Sequence, residues 1–345
     1  MNQSKKYQRC LVMAGGGFHF GYYLGIHAAL CDSEQRPDLL LASCGGAIAA
    51  ALIQALPNDA ERRAWLSSAQ MYQFWCSLKS TPKAKITHAF FSAMQRRFWG
   101  HNAKYIPDLF HDYMFEIPAD LPLPELKQKT MDVAIVAGKL NYAEHEVGQI
   151  RGNRKLFSEI IFCEQRAADL LHEFPVPLSD VRFGEHAIDS ELLTDVDMPL
   201  ADAVRASISD MFYFRCHTHG SENYMGGVVD LFPIEVASHL AQSVIMELKG
   251  GYDATYGIPA IRTVLGFDGN QRLDHVLNQH ADVWVDTSDM EKVFLHQRTY
   301  QKIIWYRNLI QIVAPPSYDA YVKMIDAQWR FGYQRGMAGL ASAKT

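Results

Sequence analysis

The 345-residue chain has no apolar run approaching the roughly 18 residues that a membrane-spanning helix needs. It also lacks a basic excess: 33 lysines and arginines stand against 38 acids, for a formal net charge of −5. Nucleic-acid binders concentrate positive charge, so no nucleic-acid partner is expected. The six cysteines, at positions 10, 31, 44, 76, 163 and 216, contain no C-x-x-C pair. A chain this long buries a core without disulfide staples, so reduced thiols in a cytoplasmic protein are expected. The apolar stretch after Lys5, Lys6 and Arg9 is only LVMA, too short for the core of a secretion signal, and reads as a buried strand. No internal repeat or low-complexity linker interrupts the chain. The glycine run at 15–17 matches neither G-x-G-x-x-G nor a loop ending in G-K-[ST], which removes the usual signs of a dinucleotide or nucleoside triphosphate. No metal or organic cofactor is implied.

Apolar residues make up 48% and charged residues 21%, the balance of a folded globular protein. The first fifty residues give a strand at Cys10–Ala14, a glycine loop, a helix over Tyr22–Leu30, a strand at Asp38–Ala42 and an alanine-rich helix over Gly46–Leu56. Residues 57–129 read as a helical, aromatic-rich insertion. Met131–Ala137 is a further strand, and turn signals at Gly138 and Asn141 predict a hairpin with the AEHEVGQI segment. Asp202–Ile208 is helical, Asn223–Leu231 is a strand around a Gly-Gly turn, and Ala281–Val285 and Leu309–Val313 are late strands. Tyr318–Met337 forms an amphipathic helix within a helical extension over 290–345. Alternating strands and helices predict one α/β domain over 1–345, a three-layer α/β/α sandwich with a mainly parallel central sheet.

Two segments bear on chemistry. Gly15, Gly16 and Gly17 follow a strand and precede a helix, where backbone N–H groups can turn into open space and hold an oxyanion. Alone, such a run equally makes a tight strand-to-helix turn. The second segment, DLLLASCGGAIAAAL, runs from a strand through a small-residue turn into a helix, the design of a nucleophile elbow. Ala42 and Gly46 flank Cys44 two residues away on each side, giving A-x-C-x-G where G-x-S-x-G is expected. Ser43 is a rival one residue early, but Leu41 is then too bulky for the elbow.

The blocks VMAGGGFHFGYYLGIHAAL, DLLLASCGGAIAAAL, VRASISDMFYF and YMGGVVDLFP resemble, in order and spacing, those of the patatin-like phospholipase family. The resemblance covers roughly residues 8–240. It implies a patatin-like fold with a lipid acyl hydrolase site, and it sets Cys44 in the nucleophile position. It also implies that the family's aspartate position, just before Gly226-Gly227, holds Met225. His19 and Phe20 fall where the family's oxyanion loop carries arginine and glycine.

A serine without a base is inert. A thiol at a helix N-terminus has its pKa lowered and can act as thiolate without a carboxylate beside it. Two readings follow. In one, Cys44 is the nucleophile of an acyl hydrolase or acyltransferase on a fatty-acyl ester or thioester. The N–H groups of Gly15, Gly16, Gly17 and Gly45 then form the oxyanion hole, with His19 as a further donor. In the other, a pseudoenzyme binds lipid, an acyl chain or a protein partner without turnover, and the intact glycines serve the fold. His217 and His219 in RCHTHGSENY are candidate bases. The Cys-His-Thr-His run also suggests metal ligands, but no second ligand cluster appears, so no metal site is expected. Asp230 is assigned to turn or helix capping. The aromatic stripes around MYQFWCSL and FFSAMQRRFW fit a lid over an acyl pocket, or a membrane-facing surface with Arg96 and Arg97 towards head groups. The implied partners are a fatty-acyl or lipid ligand, an acyl-carrier or other protein, and peripheral membrane.

Overall fold

The computed structural model describes residues 5–100, 103–126, 129–295 and 299–343. Residues 101–102 and 127–128 of the aromatic insertion and 296–298 and 344–345 of the C-terminal extension lie outside it. Among the described residues the molecule is built on a nine-stranded sheet. Val283–Asp286, Ala241–Leu248, Tyr7–Ala14, Leu39–Ser43 and Asp132–Leu140 lie side by side and parallel. Phe157–Phe162 continues the sheet antiparallel, and Leu193–Asp195 closes that edge.

Alternation along the strands makes two cores. Leu11 and Met13, Leu40 and Ala42, and Val133 and Ile135 project to one face. There they meet the helices Gly21–Asp32, Gly45–Ala55, Leu200–Ser207 and Tyr318–Ser342. Cys10 and Val12, Leu39 and Leu41, and Ala134 and Val136 project to the other face. That face packs on the helices Gln165–Leu171, Ile234–Leu240, Gly257–Val264 and Gly269–Leu277. Burial on both faces is why these strands read as continuous apolar runs. The result is the expected α/β/α sandwich. The helices Gly21–Asp32 and Tyr318–Ser342 meet backbone to backbone: a Cβ on Gly332 would lie 1.8 Å from the Tyr22 carbonyl oxygen.

Several elements differ from the sequence expectation. Gly138 lies inside the strand Asp132–Leu140, and that strand's antiparallel neighbour is Phe157–Phe162, not AEHEVGQI. Gly138 is needed there because Met225 Cγ lies 2.8 Å from where its Cβ would be. Phe157–Phe162 and Ala241–Leu248 are strands that carry no clean alternation in the sequence. Asn223–Leu231 splits into a strand, Glu222–Met225, and a 3₁₀ turn, Gly227–Asp230. Leu309–Val313 is a strand, but it lies outside the main sheet, paired with Tyr300–Ile304 in a separate ribbon and bridged at Leu309 to Lys85. The segment 57–129 is helical in its first part, over Asp59–Leu66, Ala69–Cys76 and Ile86–Trp99, and largely irregular afterwards.

One detail of the sheet positions the site. Asp132–Leu140 is paired with Leu39–Ser43 as far as Val136. Past that point the elbow chain leaves the sheet, and Tyr224 and Met225 pair with Lys139 and Gly138 instead. The elbow therefore stands at a notch in the sheet, with the Glu222–Met225 strand filling the place it vacates.

Candidate active site

Cys44 sits in this notch as the N-cap of the helix Gly45–Ala55, with φ 50° and ψ −123°. A side chain at positive φ is strained by about 1–3 kcal/mol, and the surroundings must hold it there. They do so through a chain of hydrogen bonds. The Cys44 N–H donates to Ser207 Oγ at 2.9 Å, and the Ser207 hydroxyl donates to the Val136 carbonyl at 2.6 Å. The glycines after Cys44 are required by close approach. A Cβ on Gly46 would lie 2.1 Å from the Met13 carbonyl oxygen, and one on Gly45 would lie 2.5 Å from that of Gly17. Ser43 is almost wholly buried and donates to the Leu231 carbonyl, so the elbow presents Cys44 and not its neighbour.

The Cys44 thiol donates to Asp210 Oδ2 at 3.1 Å. Sequence reasoning missed this partner. Asp210 lies in the turn after the helix Leu200–Ser207, within SISDMF, and not before Gly226-Gly227. The two positions converge in space: a Cβ on Gly226 would come within 2.0 Å of Asp210 Oδ1. The carboxylate thus occupies ground beside the Gly226 backbone, reached from a different element. Met225 itself is completely buried, packed against Gly138, and does not line the cavity in front of Cys44.

Asp210 changes the electrostatics expected of the thiol. Burial, followed by the Asp210 charge and its hydrogen bond, pushes the Cys44 thiol well above its ordinary value, although the Gly45 N–H and Lys249 pull the other way. The expectation of a thiolate lowered by the helix N-terminus is therefore corrected. The resting group is a neutral thiol on a carboxylate. Burial raises that carboxyl from 3.8 to about 6, while the Cys44 hydrogen bond pulls it down. The Val228 N–H also pulls it down, but burial prevails.

Gly15, Gly16 and Gly17 have φ of 76°, 102° and 54° and line the same cavity as Cys44 and Gly45. Gly15 is tied down by its N–H bond to the Ser43 carbonyl at 3.1 Å. Among the described residues, the Gly16 and Gly17 N–H groups donate to no protein acceptor. His19 is buried at the cavity wall, its ring stacked on Phe294 with centroids 5.7 Å apart. Lys249, also unforeseen, follows the strand Ala241–Leu248 and is the only lysine or arginine lining this cavity among the described residues. Its ammonium donates to the Ala14 carbonyl and pairs with the buried Glu247 at 3.5 Å. Glu247 in turn accepts from the hydroxyls of Tyr22, Tyr23 and Thr287.

The cavity measures about 630 Å³, and its walls include Phe18, Trp75, Ile117, Ile208 and Leu231. A second chamber of about 660 Å³ adjoins it, walled by Ile86, Ala93, Met114, Met211 and Phe212. Asp210, Tyr213, Val228, Tyr252 and Gln301 face both. Gln301, from the ribbon Tyr300–Ile304/Leu309–Val313, donates to the Tyr213 hydroxyl across this boundary.

The structure does not bring His217 and His219 to Cys44. Both lean on Asp202, at 2.9 and 3.5 Å, and neither lines the cavity. Asp230 is no surface cap either. It is buried in an ion pair with Arg272 at 3.0 Å.

The profile of the patatin-like phospholipase family matches residues 11–238, which takes in the glycine loop, the elbow, Asp210 and Gly226-Gly227. A search of curated proteins returns no match. Among solved structures the chain is similar to VipD from Legionella pneumophila, at 11% sequence identity and a TM-score of 0.37, with 98% of this chain and 67% of that one covered.

Proposed function

The chain belongs to the patatin-like phospholipase family, and from that premise we propose that it is a lipid acyl hydrolase or acyltransferase working through a Cys44–Asp210 dyad. Family membership supports lipid acyl hydrolysis at the coarse level. The cysteine nucleophile is the finer reading, and one observation carries it: the Cys44 thiol is hydrogen-bonded to a buried carboxylate and faces an apolar cavity beside the Gly16 and Gly17 amides, which donate to no protein acceptor among the described residues.

In this reading Asp210 accepts the thiol proton as Sγ attacks the acyl carbonyl carbon. Its raised pKa, near 6, suits a base that must take that proton and later return it. The oxyanion formed is held by the N–H groups of Gly16, Gly17 and Gly45, preorganised by the strand-to-helix turns. The protonated Asp210 then gives its proton to the departing alkoxide or thiolate, leaving a thioester on Cys44. Water or a second acceptor attacks that thioester, its proton passing to Asp210 as the acyl group leaves Sγ. The carboxylate and thiol are then restored. The cavity volume lies in the range of small-molecule sites, ~300–1,000 Å³. Lys249, beside the glycine loop, suits an anionic group on the substrate.

Exposed apolar residues favour contact with a lipid surface. Phe90 and Trp305 sit at the edge of the second chamber, and Phe91 and Tyr306 are exposed beside them in the chain. No described helix is long and apolar enough to cross a membrane.

The test is intact-protein mass spectrometry after incubation with a long-chain acyl thioester and, separately, a fluorophosphonate. The expected result is a single adduct on Cys44, absent in Cys44→Ala and strongly slowed in Asp210→Asn. Saturable lipid binding with no adduct and no turnover would instead establish the non-catalytic reading.

A further inference from the structure

Two histidines outside the cavity converge on a single carboxylate. His217 and His219 occupy alternate positions of the short strand His217–His219, so both imidazoles leave the same face. Opposite them is Asp202, in the first turn of the helix Leu200–Ser207. Its Oδ1 lies 2.9 Å from His217 Nε2, and its Oδ2 lies 3.5 Å from His219 Nδ1. One ligand atom from each residue falls within 4.8 Å of the other two. The sequence offers only His-Thr-His; the fold supplies the third donor from a helix fifteen residues upstream of His217. Neither cavity uses these side chains.

We propose that Asp202, His217 and His219 form a three-ligand site for a divalent transition-metal ion, zinc being the best match. Two imidazole nitrogens and one carboxylate oxygen are a donor set zinc accepts, and the ion's remaining positions go to water, because the cluster is only partly buried. On binding, the two ring nitrogens that face Asp202 turn to the ion, and each imidazole carries its proton on the other nitrogen. The site's place in the fold gives it a structural consequence. The helix Leu200–Ser207 runs on to Ser207 and Asp210. The hairpin of His217–His219 with Glu222–Met225 runs on to Gly226, whose N–H donates to the Ser209 carbonyl at 2.8 Å. The ion joins, at one end, the two elements that frame Asp210 at the other. It acts as a staple on the turn that holds the carboxylate, not as a participant in acyl transfer.

The experiment uses the full chain stripped with a chelator and titrated with Zn²⁺ alone, followed by calorimetry and by melting temperature. Co²⁺ is then substituted for its visible spectrum. The expected result is one ion per chain with micromolar or tighter affinity, a melting temperature raised by the ion, and a Co²⁺ spectrum free of thiolate-to-metal charge transfer. His219→Asn and Asp202→Asn should each weaken binding by about tenfold or more. His280→Asn, at an exposed histidine outside the cluster, should leave it unchanged. The His219 side chain is 42% exposed, so its replacement should change the metal-free melting temperature little, and Asp202→Asn gives a second, independent variant. The proposal is overturned if the wild-type chain takes up no Zn²⁺ at micromolar concentrations, or if both variants bind as tightly as wild type.

Discussion

Replacing Asp210 with asparagine should make the protein more stable at alkaline pH while removing its activity, because the carboxylate is held in place against its own solvation. The folded state raises the Asp210 carboxyl from 3.8 to about 6. It therefore binds that proton more tightly than the unfolded chain does. The associated stability is fully present below pH 4 and is lost as the pH rises from about 4 to about 6. At about 1.4 kcal/mol per pKa unit, a shift of about two units costs about 3 kcal/mol once the group is ionised. The substituted carboxamide has no charge to desolvate, and its oxygen still accepts from the thiol. Asp210→Asn should thus match wild type near pH 4 and exceed it by up to about 3 kcal/mol at pH 8. With an unfolding entropy of about 2.1 cal/mol/K per residue, that is a rise of roughly 4 °C in melting temperature. The charge that raises the Cys44 thiol also disappears. Alkylation of Cys44 by iodoacetamide at pH 8 should then be faster in the variant, while acyl turnover falls by about 10²–10⁴. Thermal melts between pH 4 and 8, together with alkylation rates, read both effects. A variant that melts below wild type at pH 8 and alkylates no faster would refute the picture of a buried, ionised carboxylate on the thiol.

Further outcomes follow from the same geometry. Cys44→Ser should retain acyl-ester hydrolysis, since the hydroxyl inherits a base at hydrogen-bonding distance, whereas Cys44→Ala should lose all covalent labelling; steady-state rates and mass spectrometry check this pair. The pH profile of kcat/KM should rise through an apparent pKa near 6 as Asp210 ionises, and in Asp210→Asn this ascending limb should vanish. Gly46→Ala should destabilise the fold by about 3 kcal/mol or more, measured by urea denaturation, because its methyl meets the Met13 carbonyl of the central strand. Gln301→Ala, which removes the bond to Tyr213 between the two chambers, should shift the preference in kcat/KM towards longer acyl chains, measured over a chain-length series.

The glycine loop, the elbow and the strands around them were legible because each is a local pattern with one physical solution. Cys44 needs small residues on both sides at a positive-φ turn, and Gly45 and Gly46 are the positions where the Gly17 and Met13 carbonyls leave no room for a Cβ. A continuous apolar run such as LLLA has to be buried on both faces, which already implies a parallel sheet under two layers of helices. Ala241–Leu248 was harder to see, because its outer half, beginning Ala-Gln-Ser, is partly exposed and breaks the run.

Through these patterns the sequence alone determined the α/β/α architecture and the residue that the elbow presents. The tertiary structure decided what that residue faces. Sequence order set Met225 at the expected acid position, yet the strand Glu222–Met225 buries that side chain against Gly138, and the turn after the next helix back carries Asp210 into the space beside Gly226. Which of two carboxyl-sized places is filled, and from which element, depends on contacts between segments far apart in the chain. The same holds for Lys249 and for Asp202 beneath the two histidines. Local propensity carries no record of such meetings, because they exist only once the sheet has closed and the loops at its end have converged.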